Sequence, residues 1–325
     1  MRALVTGGAG FVGRHLCHAL LEAGWDVVCV DPIVPRTGGL HPSVWPLFDP
    51  TKYAGFSYIE QDCRAFFRNA EQFDVAFHLA AMVGGRLMIE YDPIAVAEDL
   101  SIDAEFFRWS LRNKIKKNVF FSSSAAYPIN LQRRDSYVLL KEDMINFDDV
   151  LGMPDLSYGW AKLTGEYLAR LAHSHYGMDV ACYRPFSGYG EDQDLTYPFP
   201  SICKRALESF GAEKLSVWGT GDQMRDFIHI TDCIRFVLDS MNKISNGHAL
   251  NLSTGILTNF KSLAKTAANA AGYETEVVGT SDKPEGVFAR GGDIALQAEL
   301  GLKPSISLAE GVARGVEFQK RLSAA

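Results

Sequence analysis

The chain has 325 residues, 47% of them hydrophobic and 22% charged, which is typical of one large folded domain or about two smaller ones. Its formal net charge of −7 argues against a general nucleic-acid or anionic-membrane surface, and we expect a small-molecule partner. Six scattered cysteines without a CxxC pair, and the lack of a long apolar run, predict neither metal site, disulfide framework, signal peptide nor membrane anchor, and hence a cytoplasmic protein.

The first residues predict a dinucleotide-binding unit. A short apolar strand is followed by three glycines at spacings of three and then by a helix over about 10–23. The first glycine permits a tight turn, the second lets the backbone approach a pyrophosphate on the helix N-terminus, and the third lets the helix pack closely on the strand. The predicted cofactor contacts of this segment are Gly7, Gly10, Phe11, Val12 and Gly13.

The second predicted strand ends in an acid, Asp31. An acid at this position accepts hydrogen bonds from the adenosine ribose hydroxyls and repels a 2′-phosphate. The sequence therefore predicts NAD as the cofactor, in preference to NADP.

Further strand-like segments alternate with helix-like ones, at 56–61, 74–79, 118–122, 179–183 and 249–252. This alternation predicts an α/β fold, a Rossmann-type doubly wound parallel sheet. After residue 186 the pattern becomes irregular and predicts a smaller, interleaved C-terminal substrate-binding lobe. We expect a nucleotide-binding domain at 1–185 to which 226–255 returns, and a lobe formed by 186–225 and 256–325.

The segment "SYGWAK" carries the chemistry. It places Tyr158 and Lys162 four residues apart, on one face of a helix. A tyrosine that acts as a base near neutrality needs its pKa lowered by about 3 units, which Lys162 and a cationic nicotinamide can supply. Such a pair by itself is more often an ordinary amphipathic surface, but the dinucleotide motif upstream favours a catalytic pair.

The motifs "FHLAAMVGG", "FFSSSAAYP", "SYGWAK", "RPFSGYG" and "VWGTGDQMRDFIHITD" together resemble the extended short-chain dehydrogenases/reductases, the NAD-dependent epimerase/dehydratase family that acts on nucleotide sugars. The resemblance spans nearly the whole chain. Within the family, "AAMVGG", "SSSAAYP" and "VWGTGDQMRDF" look most like the branch of GDP-fucose synthase and GDP-mannose 3,5-epimerase. The resemblance implies a nucleotide-diphosphate-sugar substrate and a homodimer.

The resemblance also implies roles for the central residues. Tyr158 would be the general base for a sugar hydroxyl, and Lys162 would bind the nicotinamide ribose and lower the tyrosine pKa. Ser123 would hydrogen-bond the reacting oxygen; it is chosen over its neighbours because the family's catalytic Ser or Thr lies four residues before the tyrosine found here at Tyr127.

The remaining implied contacts lie at the two ends of the site. Asp62 would contact the adenine edge, and Arg225 and Arg290 would bind the substrate diphosphate. For Arg290 a solvated surface charge is an equal alternative, as is a water-facing loop position for Arg86. The other predicted contacts are Leu79, Ala80 and Ala81 for the cofactor and Gly85, Arg86, Ser124, Ser187 and Tyr197 for the substrate.

The departures from the family pattern reduce the number of reactions that the site is expected to catalyse. Dehydratases carry an Asp-Glu pair after the catalytic serine, where this chain has Ser124 and Ala125. The 3,5-epimerase branch carries a cysteine at the position of Ala125, and alanine cannot transfer a proton. Tyr197 falls where that branch carries a histidine or lysine, and we favour an aromatic wall of the sugar pocket over an acid. Ser187 replaces a common asparagine.

Elimination then favours C4 epimerisation of a nucleotide hexose through a transient 4-ketone, with tightly bound NAD. A GDP-sugar 3,5-epimerase is one alternative, opposed by Ala125. A 4-keto-sugar reductase is another, opposed by Asp31 because such enzymes usually exchange NADPH. A non-catalytic NAD-sensing binding protein is a remote alternative, opposed by the Tyr-Lys pair.

Overall fold

A parallel sheet forms the centre of the molecule in the computed structural model, which describes residues 1–34, 37–83, 85–280 and 286–324. Its first six strands are β1 (Arg2–Thr6), β2 (Asp26–Val30), β3 (Phe56–Ile59), β4 (Val75–His78), β5 (Lys117–Phe121) and β6 (Val180–Pro185). The other strands are β7 (Ser187–Tyr189), β8 (Lys214–Trp218), β9 (Met224–His229), β10 (Asn246–Leu252), β11 (Leu257–Asn259), β12 (Glu276–Thr280) and β13 (Ala289–Arg290). Seven of the described strands form the central sheet in the order β10-β6-β5-β4-β1-β2-β3.

Helices cover both faces of this sheet. The α-helices of the described chain, including those of the smaller lobe, are α1 (Phe11–Glu22), α2 (Cys63–Phe66), α3 (Gly85–Tyr91), α4 (Pro93–Val96), α5 (Asp99–Asn113), α6 (Leu156–Tyr176), α7 (Pro198–Glu208), α8 (Ile230–Ser240), α9 (Phe260–Ala270), α10 (Ala295–Glu299) and α11 (Leu308–Ala324). One core packs α1 and α8 on the sheet through Leu16, Leu20 and Phe236, and the other packs α5 through Phe106 and Trp109. The strands read as continuous apolar runs because both faces are buried. The predicted doubly wound α/β fold is confirmed.

A smaller lobe follows the central sheet along the chain. Strands β7, β11 and β13 all pair with β9, and β12 pairs with β8. Its core includes Phe199 of α7, Leu263 of α9 and Val316 of α11. Helix α8 packs on α1, and β10 is an edge of the large sheet, as a return of the chain to the nucleotide domain requires. The predicted boundary at residue 226, however, falls inside β9, whose strand partners all belong to the lobe; the domain limits otherwise stay a prediction.

None of the described helices combines the length and apolar character that a membrane span requires.

A buried ion pair joins the two lobes. Arg14 of α1 donates from Nε to Asp192 Oδ2 at 2.6 Å, and both side chains are at most 2% exposed. His15 contacts the other carboxylate oxygen at 2.7 Å. Burial raises the pKa of Asp192, but His15 and then Arg14 outweigh it and hold that pKa below its ordinary value.

Replacing Asp192 by asparagine is expected to lower the free energy of unfolding by about 3–5 kcal/mol at pH 7, because Arg14 then stays buried without a counter-charge. Since the pKa of Asp192 is lowered in the folded state, its contribution is present above the unfolded value, near 3.9, and is lost as the pH falls through the folded value. The difference from wild type should therefore shrink below about pH 4. Urea unfolding over this pH range measures it.

Asp148→Asn is the matched control, since its carboxylate pairs with Arg170 at 3.3 Å but is 80% exposed. A loss below about 1 kcal/mol is expected for this exposed pair. Equal losses for the two variants would contradict the role of the buried pair.

Candidate functional site

The glycine turn between β1 and α1 leaves no room for side chains. Gly7 has φ +71°, and a Cβ there would lie 2.6 Å from the backbone nitrogen of Ala80, just beyond β4. A Cβ on Gly13 would lie 2.2 Å from the Gly7 oxygen. Gly10 is the N-cap of α1 and has no side-chain cap, so backbone N–H groups face outward at the helix N-terminus. This arrangement suits a pyrophosphate held by backbone donors.

Asp31, at the end of β2, touches the same turn. Its Oδ2 accepts a hydrogen bond from the Ala9 N–H at 3.1 Å, and its Oδ1 accepts one from the Ile33 N–H at 2.8 Å. Burial raises the pKa of Asp31, although these backbone donors oppose the shift. A carboxylate oxygen accepts more than one hydrogen bond, so Asp31 can brace the turn and still receive ribose hydroxyls.

The other predicted cofactor residues line the same edge of the sheet. Asp62 caps α2 by accepting from the Arg64 N–H at 2.8 Å. The Arg64 guanidinium also binds this carboxylate, Nη2 to Oδ2 at 2.6 Å, and lowers its pKa. Leu79 donates to the Thr6 carbonyl at 3.1 Å and continues the pairing of β4 with β1. Predicted contacts from four separate segments thus meet beside the ends of β1 to β4: Gly7, Asp31, Asp62, Leu79, Ala80 and Ala81.

Helix α6 brings the predicted catalytic residues together. A Cβ on Gly159 would lie 2.5 Å from the Ala125 oxygen, so the missing side chain lets α6 begin directly against the turn after β5. The side chain of Ser123, in that turn, lies close enough to the Tyr158 hydroxyl to lower its pKa. Ser122 points away and donates to Glu166. The structure therefore brings Ser123, the serine selected from sequence, to Tyr158; Ser124 is buried beside it.

Lys162 lies one turn beyond Tyr158. It is 2% exposed, and its ammonium lies 5.4 Å from the ring centre of Phe120. Burial raises the pKa of Tyr158, and the positive charge of Lys162 and the nearby Ser123 hydroxyl oppose that rise. The net shift is upward. Lys162 thus acts in the predicted direction, but in the protein by itself it does not bring the pKa of Tyr158 below the ordinary value.

The two residues predicted to bind the substrate diphosphate are cross-strand neighbours. Strand β13 pairs with β9 so that Arg290 lies opposite Arg225. Burial lowers the pKa of Arg225, and the positive charges of Arg290 and Arg86 lower it further. Three guanidinium groups are thus close enough to repel one another. A diphosphate would relieve that repulsion.

Asp155, directly before α6, already neutralises part of this charge. Its carboxylate accepts from Arg290 Nη2 at 2.8 Å and from Arg86 Nη1 at 2.9 Å. The Arg290 side chain is 12% exposed, so the surface-charge alternative is wrong for it. Arg86 is half-buried and also binds Glu90, so it does not simply face water. A cavity of about 540 Å³ is lined by Arg86 and Asp155, together with Met153, Pro154, Trp160 and Val287.

Tyr197 reaches the catalytic pair from the N-terminus of α7. Its hydroxyl lies near the Gly85 N–H, which favours the ionised form. Burial raises the pKa of Tyr197, and the proximity of Tyr158 raises it further. Ser187 lies on β7 opposite Phe227, two residues along β9 from Arg225. Of the motif "AAMVGG", Gly84 lies outside the described residues.

Residues 3–253 match the NAD dependent epimerase/dehydratase family. This chain belongs to that family. It is 25% identical over 340 residues to a UDP-glucose 4-epimerase of Mycolicibacterium smegmatis, covering 99% of this chain and 100% of that protein. It is 26% identical over 263 residues to a GDP-L-fucose synthase of Escherichia coli, covering 75% of this chain and 79% of that one. The predicted family and NAD-dependent enzyme class are confirmed.

The fold agrees with a solved relative over its full length. A UDP-glucuronic acid 4-epimerase of Bacillus cereus, crystallised with UDP-glucuronic acid and NAD, superposes with a TM-score of 0.80 at 25% identity. The match covers 99% of this chain and 100% of that structure. The glycine turn and Asp31 fit the cofactor that the epimerase/dehydratase family uses.

Sequence reasoning missed two acids in this family member. Asp99 and Asp103 of α5 are fully buried near Lys162. They lie one turn apart, on the stripe of α5 that also buries Ile102 and Phe106. Acids on the core-facing side of a helix destabilise the fold unless they are paired. Two acids at this spacing were therefore a sign, in the sequence, of a buried charged partner. Among the described residues, no group of three or more His, Cys, Asp and Glu side chains is arranged to hold a metal ion.

Proposed function

We propose that this protein is a nucleotide-sugar 4-epimerase that works with retained NAD. One observation carries the choice of C4. The site brings together a tyrosine, a lysine and a serine, but the position after Ser124 in the catalytic turn is Ala125, a buried methyl group that cannot transfer a proton. Epimerisation at C3 or C5 needs such a group, whereas epimerisation at C4 does not. The M. smegmatis and B. cereus relatives are both 4-epimerases.

The residues divide the work as follows. Tyr158 accepts the proton of the sugar 4-hydroxyl and later returns it, while Ser123 hydrogen-bonds both the tyrosine and the reacting oxygen. Lys162 binds the nicotinamide ribose and keeps positive charge beside Tyr158. NAD, when bound, supplies the hydride acceptor for oxidation of C4 and the donor for its reduction from the other face. The nucleotide part of the substrate stays bound while its 4-keto sugar rotates.

Arg225 and Arg290 are the proposed diphosphate contacts. Replacing Arg225 by glutamine is expected to raise KM for the nucleotide sugar by about 10- to 100-fold, because hydrogen bonds to charged groups contribute about 1.5–3 kcal/mol. The effect on kcat should be small, since the diphosphate is remote from C4. Steady-state kinetics measure both. Arg235→Gln, which removes a guanidinium paired with Asp232 on α8, serves as the control; an unchanged KM for Arg225→Gln would contradict the assignment.

A 3,5-epimerase is the second candidate. Tyr197 is the observation that favours it, because its hydroxyl lies near Tyr158, where a second acid would stand. The similarity to a GDP-L-fucose synthase points the same way.

We further propose a cytoplasmic homodimer that acts in carbohydrate metabolism. Helices α5 and α6 pack side by side and leave large apolar side chains exposed. Those on α5 are Leu100 and Leu111, and those on α6 include Trp160 and Tyr167. A second copy would cover this face, and sedimentation of the purified protein tests it. All six cysteines are buried and free, which suits a reducing compartment.

Proton NMR of the purified protein in heavy water, without added cofactor and with a panel of UDP-, GDP- and CDP-hexoses, tests the function. Conversion with no deuterium entering the sugar is expected, because hydride returns internally. Deuterium at C3 or C5 would establish the 3,5-epimerase instead. NAD binding without any conversion would support the NAD-sensing alternative.

A further inference from the structure

Two carboxylates lie buried beneath the catalytic helix. Asp99 is 0% exposed and Asp103 is 1% exposed. Asp99 Oδ1 accepts from the Met82 N–H at 2.5 Å, and Asp103 Oδ1 lies 3.2 Å from His78 Nε2. The second oxygen of each carboxylate is buried without a hydrogen-bond partner in the described part of the chain. Buried carboxylates need a nearby positive charge, since desolvation is costly.

Lys162 supplies that charge. Burial lowers the pKa of Lys162, but Asp103 and then Asp99 raise it above the ordinary value, so the amine stays protonated. In return, Lys162 lowers the pKa of Asp99, yet burial outweighs this and raises it to about 6. Asp103 Oδ2 packs against the same helix, since a Cβ on Gly165, three residues beyond Lys162, would lie 2.8 Å from it. The charge of one ammonium group therefore acts on two carboxylates and on Tyr158.

The remaining charged or titratable groups near Tyr158 and Lys162 come from three other elements. His78, which ends β4, lies 3.2 Å from Asp103 Oδ1, and burial lowers its pKa. Tyr197 approaches from the start of α7, and Arg290 from β13. The negative charge that disfavours a Tyr158 phenolate thus comes from the two acids of α5.

We propose that Asp99 and Asp103 are positioning residues for the catalytic pair. They hold the Lys162 ammonium beneath Tyr158 and share its positive charge, so the two carboxylates, together with Lys162, decide the pH range in which Tyr158 accepts a proton. This inference rests on the proposed function in one respect, since Tyr158 is taken as the base.

Asp99→Asn tests the proposal. The amide oxygen can still accept from Met82, so the substitution removes charge and keeps this contact. The midpoint of the Tyr158 titration is expected to move down by about one pH unit, which makes the acid limb of kcat about tenfold faster at a given pH. The 13Cζ signal of Tyr158, assigned by its loss in Tyr158→Phe, reports the midpoint without any turnover.

Asp232→Asn is the matched control, because that carboxylate is also 0% exposed but binds Ser305 beside α8, away from Tyr158. It should leave the Tyr158 midpoint unchanged. Asp103→Asn is the second variant and should shift the midpoint in the same direction as Asp99→Asn. In wild type, ionisation of Asp99 near pH 6 should add a second inflection to the Tyr158 signal. This inflection tests the proposal even if neither variant folds.

Unmoved midpoints in the folded variants, or no second inflection in wild type, would overturn the proposal. Failure of the proposed function gives a different result. A shifted midpoint in a protein that converts no nucleotide sugar keeps the positioning role and removes the epimerase. Turnover of a nucleotide sugar with an unmoved midpoint keeps the epimerase and removes the positioning role.

Discussion

Tyr158→Phe is expected to lower kcat by about 10²- to 10⁴-fold, the range that a general acid–base group contributes. The substitution removes the hydroxyl that lies beside Ser123 and leaves the ring, whose centre lies 5.9 Å from the Lys162 ammonium. The helix and its contacts are retained, so bound NAD and thermal stability should stay close to wild type. Turnover by NMR and the NAD content of the purified protein measure the two effects separately.

The same helix provides the control. Tyr167 is 45% exposed and packs its ring 5.2 Å from that of Phe147, outside the site. Tyr167→Phe should therefore retain the wild-type kcat. If Tyr158→Phe turns over substrate at nearly the wild-type rate, Tyr158 is not the base and the proposed chemistry fails.

Gly7→Ala is expected to abolish retention of NAD and to destabilise the fold. The new Cβ would lie 2.6 Å from the Ala80 nitrogen and 2.7 Å from the Leu79 carbonyl carbon, and both are backbone atoms next to β4. Because β1 and β4 are paired, neither strand can move aside freely. Left-handed strain of about 1–2 kcal/mol and overpacking of about 1–3 kcal/mol together predict a loss of about 2–5 kcal/mol in unfolding free energy.

Gly177→Ala separates strain from crowding. Gly177 ends α6 with φ +67°, close to the +71° of Gly7, but a Cβ there meets nothing within 4 Å. This variant should lose only the strain of about 1–2 kcal/mol and keep its NAD. The measurements are urea unfolding and the NAD content after gel filtration. Wild-type NAD content in Gly7→Ala would show that the glycine turn does not hold the cofactor.

The sequence by itself determined the elements and the chemistry that depend on neighbouring residues. The apolar runs at 2–6 and 26–30 predict two strands, which are observed with those bounds as β1 and β2, and the strand predicted at 118–122 is observed at Lys117–Phe121. The spacing of Tyr158 and Lys162 placed both on one helix face, as observed in α6. These features follow from helical and strand periodicity and from glycine conformation, which act over a few residues.

Only the tertiary structure decided which distant charges meet. Asp155 binds Arg86, 69 residues away, and Arg290, 135 residues away. The tertiary structure likewise brings Asp99 and Asp103 close to Lys162. It also pairs β9 with strands of the smaller lobe, although the predicted boundary at residue 226 divides this strand. Each of these contacts depends on how the chain runs through the central sheet and the smaller lobe, and a pattern of neighbouring residues does not predict that path. The sequence therefore predicts which groups perform the chemistry, whereas the charges that tune them follow from packing between remote segments.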